Sequence, residues 1–131
     1  MEHSVIATSF ADPEDIKRYK ECRAKGGSEE ECLKVGDNGI GCWEDDTTVD
    51  IPMCALPPED WKHFGDEARG KHVLVRTVVD GIPYHTVCEL RDTMPHKRNI
   101  HNGAGIDLNP AACKELGLTP PVSHRVIWSW V

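Results

Sequence analysis

Alternating apolar and polar positions divide the chain into short β-type segments. Six of them predict strands: 5–10, 51–56, 71–79, 84–90, 106–108 and 124–131. Asp80-Gly81 is a typical two-residue hairpin turn between the third and fourth strands. A short helix is predicted before the last strand, where Asn109 provides a cap and Gly117 ends the helix. Six short strands with glycine-rich connections favour a mainly β fold, a small closed barrel forming a single domain over 1–131.

A different pattern occupies residues 12–36, between the first two predicted strands. Asp12 and the proline after it predict a helix start, and Gly26 ends that helix. Ser28 and Glu31 have the spacing of a capping box, which predicts a second short helix. Both helices are strongly charged and carry few apolar residues. We therefore expect a helical hairpin inserted near the N-terminus, attached to the barrel and outside its core.

Composition excludes several classes of protein. The 131 residues carry 22 acidic and 15 basic side chains, a formal net charge of −7, with no run of lysines and arginines, which argues against a nucleic-acid partner. No apolar stretch approaches the roughly 20 residues that a membrane-spanning helix needs. The N-terminus lacks the basic start and apolar region of a signal peptide. We expect synthesis in the cytosol, with any release depending on phage lysis or a delivery system.

The six cysteines leave two interpretations open. Cys22 and Cys32 have the spacing that staples helical hairpins in some small oxidised proteins, whereas buried free thiols are the simpler alternative. Cys88 lies within a predicted strand and Cys113 on the short helix, so we expect both to be buried. No Cys-x-x-Cys pair is present, and the histidines of the 96–101 loop lack the fixed spacing of metal ligands. We expect neither a metal nor another cofactor.

The second half of the chain resembles a known family. A strand ending in Glu89-Leu90-Arg91-Asp92-Thr93 is followed by Gly105-Ile106-Asp107-Leu108-Asn109-Pro110 and by a terminal strand. This order resembles the double-psi β-barrel family, in particular the rare-lipoprotein-A-like and MltA-type (3D domain) lytic transglycosylases. The resemblance covers about residues 50–131. It implies a double-psi barrel that cleaves peptidoglycan, with Asp92 and Asp107 at the two acidic positions of the family pattern.

Two acidic positions are therefore the first candidates for catalysis. Cleavage of a glycosidic bond needs a carboxylic acid that protonates the leaving oxygen. Asp92 follows an apolar strand, where burial would raise its pKa, and it is our candidate acid; the alternative is an aspartate that caps its own loop. For Asp107, between Ile106 and Leu108, we favour a structural role that orients the Asp92 loop.

Further candidates lie in two loops. Asp45 and Asp46, beside Trp43 in a glycine-rich loop, are our candidates for the second catalytic carboxylate. The same arrangement suits stacking of Trp43 on a sugar ring with carboxylates at its hydroxyls, and a solvated acidic turn is the alternative. The loop after Asp92 adds polar residues as candidate substrate ligands: Thr93, His96, Arg98, His101 and Asn102. With Arg91 and Lys97 nearby, we expect this face to be locally basic. Trp128 and Trp130 alternate along the last strand and are expected to line the core.

These observations predict a cell-wall glycan-cleaving protein of the lytic-transglycosylase type, with peptidoglycan as substrate. The family's histidine is missing from residues 52–58, and Thr93-Met94-Pro95 replaces the usual glycine-containing turn. These departures favour an alternative, a non-catalytic barrel that binds a glycan or, like a protease inhibitor, a protein partner. A component of a virion or secretion machine is a third hypothesis.

Overall fold

The computed structural model describes residues 1–131 and contains six strands and four α-helices. The strands are β1 (His3–Ser9), β2 (Met53–Leu56), β3 (His72–Val79), β4 (Ile82–Thr93), β5 (Ala104–Leu108) and β6 (Ser123–Trp130). The helices are α1 (Pro13–Ala24), α2 (Glu29–Leu33), α3 (Pro58–Trp61) and α4 (Pro110–Glu115), with 3₁₀ segments at Lys62–Glu67 and Lys97–Asn99. The predicted mainly β class, the N-terminal helical hairpin and the short helix before the last strand are confirmed. None of the helices has the length and hydrophobicity needed to cross a bilayer.

The six strands close into a barrel in the order β1-β5-β2-β4-β3-β6. The pairs β1–β5 and β2–β4 are parallel, and the other four pairs are antiparallel. Exchanging β1 with β4, β2 with β5 and β3 with β6 gives the same cyclic order, read in the opposite direction. The barrel therefore has a twofold symmetric topology. The centre of that symmetry is the short β2–β5 contact, where Cys54 faces Leu108 and Ala55 faces Asp107.

The β3–β4 hairpin forms where the sequence predicts it. Asp80 and Gly81 both have positive φ, 51° and 79°, as a two-residue turn compatible with strand twist requires. β4 continues three residues beyond the predicted end at Leu90, because its last residues pair in parallel with β2. That extension carries Asp92 and Thr93 into the sheet, so the prediction that they lie in a loop is wrong.

Apolar side chains from all six strands fill the barrel interior. Sixteen buried residues form the main core cluster, including Trp128 and the free thiols of Cys54, Cys88 and Cys113. Trp130 is partly buried and packs against the same cluster. The predictions that Cys88 and Cys113 are buried and that both tryptophans line the core are confirmed. Burial of such side chains provides the main stabilisation of the fold.

The helical hairpin is held together by its own covalent link. Cys22 of α1 and Cys32 of α2 form a disulfide with Cα atoms 5.5 Å apart, which decides between the two interpretations of this pair. The predicted capping box is present, because Ser28 and Glu31 exchange side-chain hydrogen bonds with each other's backbone N–H. Asp12 occupies the N-cap position of α1 without capping it, and its Oδ2 accepts from the Ser9 hydroxyl instead.

Asn109 connects three parts of the fold through one buried side chain. Its Oδ1 accepts the N–H of Ala112, which caps α4, and the N–H of Met53 in β2. Its Nδ2 donates to the carbonyls of Thr47 and Ile51 in the loop before β2. A buried amide with four satisfied hydrogen bonds fixes the helix, the strand and the loop relative to one another.

Replacing Asn109 is therefore expected to destabilise the protein strongly. Asn109→Ala removes the partner of two buried backbone N–H groups, of the buried Thr47 carbonyl and of the partly buried Ile51 carbonyl. We expect a loss of about 2–4 kcal/mol in the free energy of unfolding. Urea denaturation followed by far-UV circular dichroism measures this loss. Asn102→Ala, an exposed asparagine with a single local hydrogen bond, is the control and should change stability by less than about 1 kcal/mol. Equal losses in both variants would contradict this role for Asn109.

Candidate functional site

Four neighbouring strands place one residue each in a row across the barrel wall. Thr8 of β1 pairs with Asp107 of β5, Asp107 pairs with Ala55 of β2, and Ala55 pairs with Asp92 of β4. Directly paired residues project from the same face of a sheet. The row therefore places the two candidate aspartates on one face, separated by the small side chain of Ala55. Two strand spacings separate their Cα atoms by about 10 Å.

Asp107 lies at the centre of this row and lines an open cleft. The Thr8 hydroxyl donates to Asp107 Oδ1. The cleft has a volume of ≈320 Å³, and its other walls come from Met94, Pro95 and residues 99–104. Burial, opposed in part by the Thr8 hydrogen bond and reinforced by the charges of Asp92 and Asp12, raises the pKa of Asp107 to about 6. A carboxyl group in this condition can hold a proton in mildly acidic solution and release it to a bound molecule.

Asp92 is held more rigidly than Asp107. Its Oδ1 accepts the backbone N–H of Cys42 and that of Thr93, both at 2.8 Å. Burial raises the pKa of Asp92, and the two backbone hydrogen bonds oppose the rise because they favour the carboxylate. Asp92 anchors the Cys42 loop through these hydrogen bonds, as expected of an aspartate that caps a loop. It also lies in the row with Asp107, so its role as a candidate acid stays a prediction.

The Cys42 loop approaches β4 closely because of a glycine. A Cβ on Gly41 would lie 2.3 Å from the carbonyl oxygen of Arg91, so no other residue fits there without a backbone shift. Cys42 is exposed, and its thiol also contacts Asp92; burial and that carboxylate raise the pKa of the thiol to about 11. The thiol therefore stays protonated at neutral pH and is a poor nucleophile.

Two further aspartates lie near the row, and sequence reasoning missed both as site residues. Asp37 accepts the N–H of Ala11 and that of Gly39, which holds the start of the glycine-rich loop against the end of β1. Asp12 is buried, and burial together with the nearby charges of Asp15 and Asp37 raises its pKa, with the Ser9 hydrogen bond opposing the rise. Its Oδ1 has no hydrogen-bond partner. Only the closed barrel brings these residues close to Asp107 and Asp92, so no local sequence signal identifies them.

The structure places Asp45 and Asp46 in contacts that stabilise their own loop. Asp45 bonds Arg69 through both carboxylate oxygens, at 2.8 and 3.1 Å, and lies 3.6 Å from Arg91. Asp46 accepts from the backbone and the hydroxyl of Thr48. Hydrogen bonds from Arg69 and from Thr48 hold the pKa of each carboxyl below its usual range. Both stay ionised and cannot act as general acids near neutral pH.

Two tryptophans form an aromatic pair beside the end of β4. Trp43 meets Trp61 of α3 edge to face, with ring centroids 5.2 Å apart. The Trp61 indole N–H donates to the carbonyl of Leu56 at 3.0 Å and lies 3.3 Å from the Thr93 hydroxyl. Thr93 follows Asp92 directly, so the pair lies next to the row of site residues. Trp61 is a member of this cluster that the sequence did not single out.

Some residues of the 96–102 loop line the cleft, and others contact α3. His101 and Asn102 are exposed and line the cleft with Asp107. His96 Nδ1 lies 3.3 Å from Glu59, and Lys97 contacts Glu59 through its backbone and Asp60 through its side chain. These contacts tie the start of the loop to α3. Arg98 is exposed on the 3₁₀ segment and does not line the cleft.

The prediction that the face around Asp92 is locally basic is wrong. Arg91 pairs with Glu89 at 2.7 Å and lies near Asp45, and Lys97 pairs with Asp60 at 3.0 Å. Arg98 is the one cation of the three without a carboxylate partner. The cleft around Asp107 contains no lysine or arginine. It is lined by the polar residues Thr8, Asn99, His101 and Asn102 and by the apolar residues Met94, Pro95, Ile100 and Ala104. Such a mixed lining suits an uncharged ligand with polar and apolar faces, such as a sugar.

Comparison with known proteins adds no family assignment. No known protein family matches the chain, and a search of curated proteins found no significant relative. No group of three or more His, Cys, Asp or Glu side chains is arranged to hold a metal ion.

The raised pKa of Asp107 predicts a pH-dependent effect of Asp107→Asn on stability. The rise from 3.8 to about 6 means that the native state binds the proton more tightly than the unfolded chain between those pH values. Wild-type stability then falls as pH increases from 4 to 6, by about 1–3 kcal/mol for this group. The neutral asparagine escapes this loss. We expect Asp107→Asn to match the wild type near pH 4 and to be more stable at pH 7.

Urea denaturation at pH 4 and pH 7 measures this difference. Asp50→Asn, at an exposed position, is the control and should shift stability equally at both pH values. A stability difference between Asp107→Asn and the wild type that does not change with pH would contradict the raised pKa.

Proposed function

We propose that the protein cleaves a glycosidic bond, with Asp107 as the general acid. The observation that carries this proposal is the position of Asp107: a carboxyl group with a pKa of about 6 that lines an open cleft with polar and apolar walls. A protonated carboxyl group at a glycosidic oxygen donates its proton as the bond to the leaving sugar breaks. Asp107 is preferred to Asp92 as the acid because two backbone N–H groups favour the charged form of Asp92.

Asp92 then acts as the second carboxylate of the reaction or as its positioning residue. The Cα separation of about 10 Å is compatible with carboxyl groups far enough apart to hold a water or a sugar hydroxyl between them. In a lytic reaction the substrate's own hydroxyl attacks the anomeric carbon, and one acid is sufficient. Asp107 donates a proton to the leaving oxygen and recovers one from the attacking hydroxyl.

Groups that suit a sugar line the Asp107 cleft or lie beside Asp92 at the end of β4. Trp43 and Trp61 provide flat apolar surface near the end of β4, on which a pyranose ring can stack. His101 and Asn102 provide exposed hydrogen-bonding groups along the cleft. Thr93 lies between the aromatic pair and Asp92 and can bond a sugar hydroxyl through its own hydroxyl group.

We propose further that the barrel is of the double-psi type and that peptidoglycan is the substrate. The twofold symmetric strand order, with parallel β1–β5 and β2–β4 pairs on either side of β2–β5, supports the double-psi assignment. The substrate follows from the resemblance of Asp92 and the Ile106-Asp107-Leu108 segment to the acidic positions of lytic transglycosylases.

Incubation with purified peptidoglycan tests this activity. We expect soluble muropeptides, separated by chromatography and identified by mass, and a rate that falls as pH rises above about 6 because Asp107 loses its proton. Asp107→Asn should lower the rate by roughly 10²–10⁴-fold. An internally cyclised product, lighter by one water than the hydrolysis product, would identify the lytic reaction.

Two controls make the result specific to the site. Asp50→Asn removes an exposed carboxyl group elsewhere and should retain the full rate. Asp92→Asn separates the roles of the two acids, because a loss as large as that of Asp107→Asn indicates a second catalytic carboxylate. Absence of release from several wall types, or an unchanged rate in Asp107→Asn, would exclude the proposed mechanism.

A binding module without chemistry is the second candidate function. The ion pairs of Asp45 and the backbone contacts of Asp92 favour it, because these two carboxylates are already engaged within the protein. Glycoside hydrolysis usually needs a second carboxyl group beside the acid. Saturable binding of glycan fragments without turnover, weakened by Trp43→Ala and unaffected by Asp107→Asn, would favour this function over the first.

A further inference from the structure

A second and larger cleft opens at the end of the barrel away from Asp92. It has a volume of ≈580 Å³ and lies between the β3–β4 hairpin and β6, with Ser4 of β1 at one edge. The cleft exists because β3 and β6 separate: their pairing ends at Arg76 and Ile127. Beyond that point, Thr77 Oγ1 donates to the carbonyl of Arg125, and His124 Nε2 lies 2.9 Å from the carbonyl of Val78. Side-chain contacts therefore replace the backbone hydrogen bonds between the two strands.

The charge of this cleft is opposite to that of the whole protein. Its eleven lining residues include Arg76, His85, His124 and Arg125 and no aspartate or glutamate, although the chain carries a net charge of −7. Arg76 pairs with the exposed Glu2. Arg125 makes no ion pair, and its guanidinium has one hydrogen bond, to the Ser4 hydroxyl at 3.3 Å. Arg125 therefore presents an unpaired guanidinium with most of its donors free.

Apolar surface adjoins these cations. Val78 of β3 is 56% exposed, and Ile82, at the start of β4 beside the cleft-lining Pro83, is 54% exposed. Val126, Ile127 and the Tyr84 ring complete the apolar part of the lining. An unpaired guanidinium beside exposed apolar side chains matches a ligand that has a carboxylate at one end and an apolar body at the other.

We propose that this cleft is a binding site for a small organic acid, with Arg125 bonding the carboxylate and Val78, Tyr84 and Ile127 contacting the apolar body. His124 contributes less directly: the carbonyl of Val78 only accepts, so His124 Nε2 carries the proton and Nδ1 remains free for the ligand. The volume of ≈580 Å³ lies within the range of small-molecule sites.

The site is separate from the Asp107 cleft. His85 and Asp92 lie seven residues apart on β4, which corresponds to about 23 Å along an extended strand. A ligand in the larger cleft therefore does not contact the glycan-cleaving groups. The two sites can be tested independently, and failure of one proposal leaves the other intact.

Two matched probes test the proposal on the full chain. 4-Phenylbutyrate carries the carboxylate, and 4-phenylbutan-1-ol has the same apolar body without the charge. We expect the acid to shift the backbone amide NMR signals of residues 76–78, 84–85 and 124–127 and to bind at least roughly tenfold more tightly than the alcohol. Arg125→Gln should abolish that difference, whereas Arg125→Lys should retain part of it because it keeps the charge and loses the planar fork.

Controls at two distant positions complete the test. Arg23→Gln, at an exposed position of α1, should leave the affinity for the acid unchanged, and so should Asp107→Asn. The dispersion of the amide spectrum shows whether each variant is folded, and Arg125 is exposed, so its replacement should be tolerated. No binding of the acid, equal affinity for acid and alcohol, shifts that map elsewhere, or full affinity in Arg125→Gln would each overturn the proposal.

Discussion

The contact between β2 and β5 is the constraint on which the rest of the architecture depends. It consists of two residue pairs, Cys54 with Leu108 and Ala55 with Asp107, and it joins the two halves of a closed barrel. Each of these strands also pairs in parallel with a strand of the other half, so both are fully enclosed by neighbours. Without this contact, the ends of β1, β2, β4 and β5 would not meet, and Thr8, Asp107, Ala55 and Asp92 would not form a row. Asn109, one residue after β5, secures the same junction with four buried hydrogen bonds.

Burial and charge at this junction explain the properties of the candidate site. Burial removes hydration from the carboxyl groups of Asp107 on β5, Asp92 on β4 and Asp12 at the start of α1. It raises the pKa of Asp107 to about 6 and raises the pKa of the other two. The 12–36 hairpin contributes no residue to the main core cluster and is closed by its own disulfide. Its following loop still reaches the site, because Asp37 and Gly41 hold residues 37–46 against the ends of β1 and β4. At the other end of the barrel, where β3 and β6 separate, the wall opens and exposes Arg125, whose guanidinium makes no ion pair.

Most elements of the fold could be predicted because their signals are local. The Asp80-Gly81 turn, the Ser28–Glu31 capping box and the Asn109 cap each depend on a few adjacent residues, and each is present in the structure. The end of β4 and the side chain of Asp12 could not be predicted in this way. β4 extends because β2 lies beside it, and Asp12 bonds Ser9 because β1 ends there. The basic face expected around Asp92 is absent because Arg91 pairs with Glu89, two residues away, and also lies near the distant Asp45. Lys97 pairs with Asp60, which is distant in sequence.

Local sequence signals are sufficient to predict the order of the strands along the chain, the helical hairpin, the turns and the two candidate aspartates, because periodicity, caps and turn residues act over a few positions. They are not sufficient to predict how the strands pair, which cysteines are linked or which aspartate lines a cleft. Pairing, burial and charge depend on neighbours from other parts of the chain, so Asp107 and Asp92 acquire their different environments only when the barrel closes. The separation of β3 from β6, which opens the cleft around Arg125, likewise depends on contacts between distant parts of the chain.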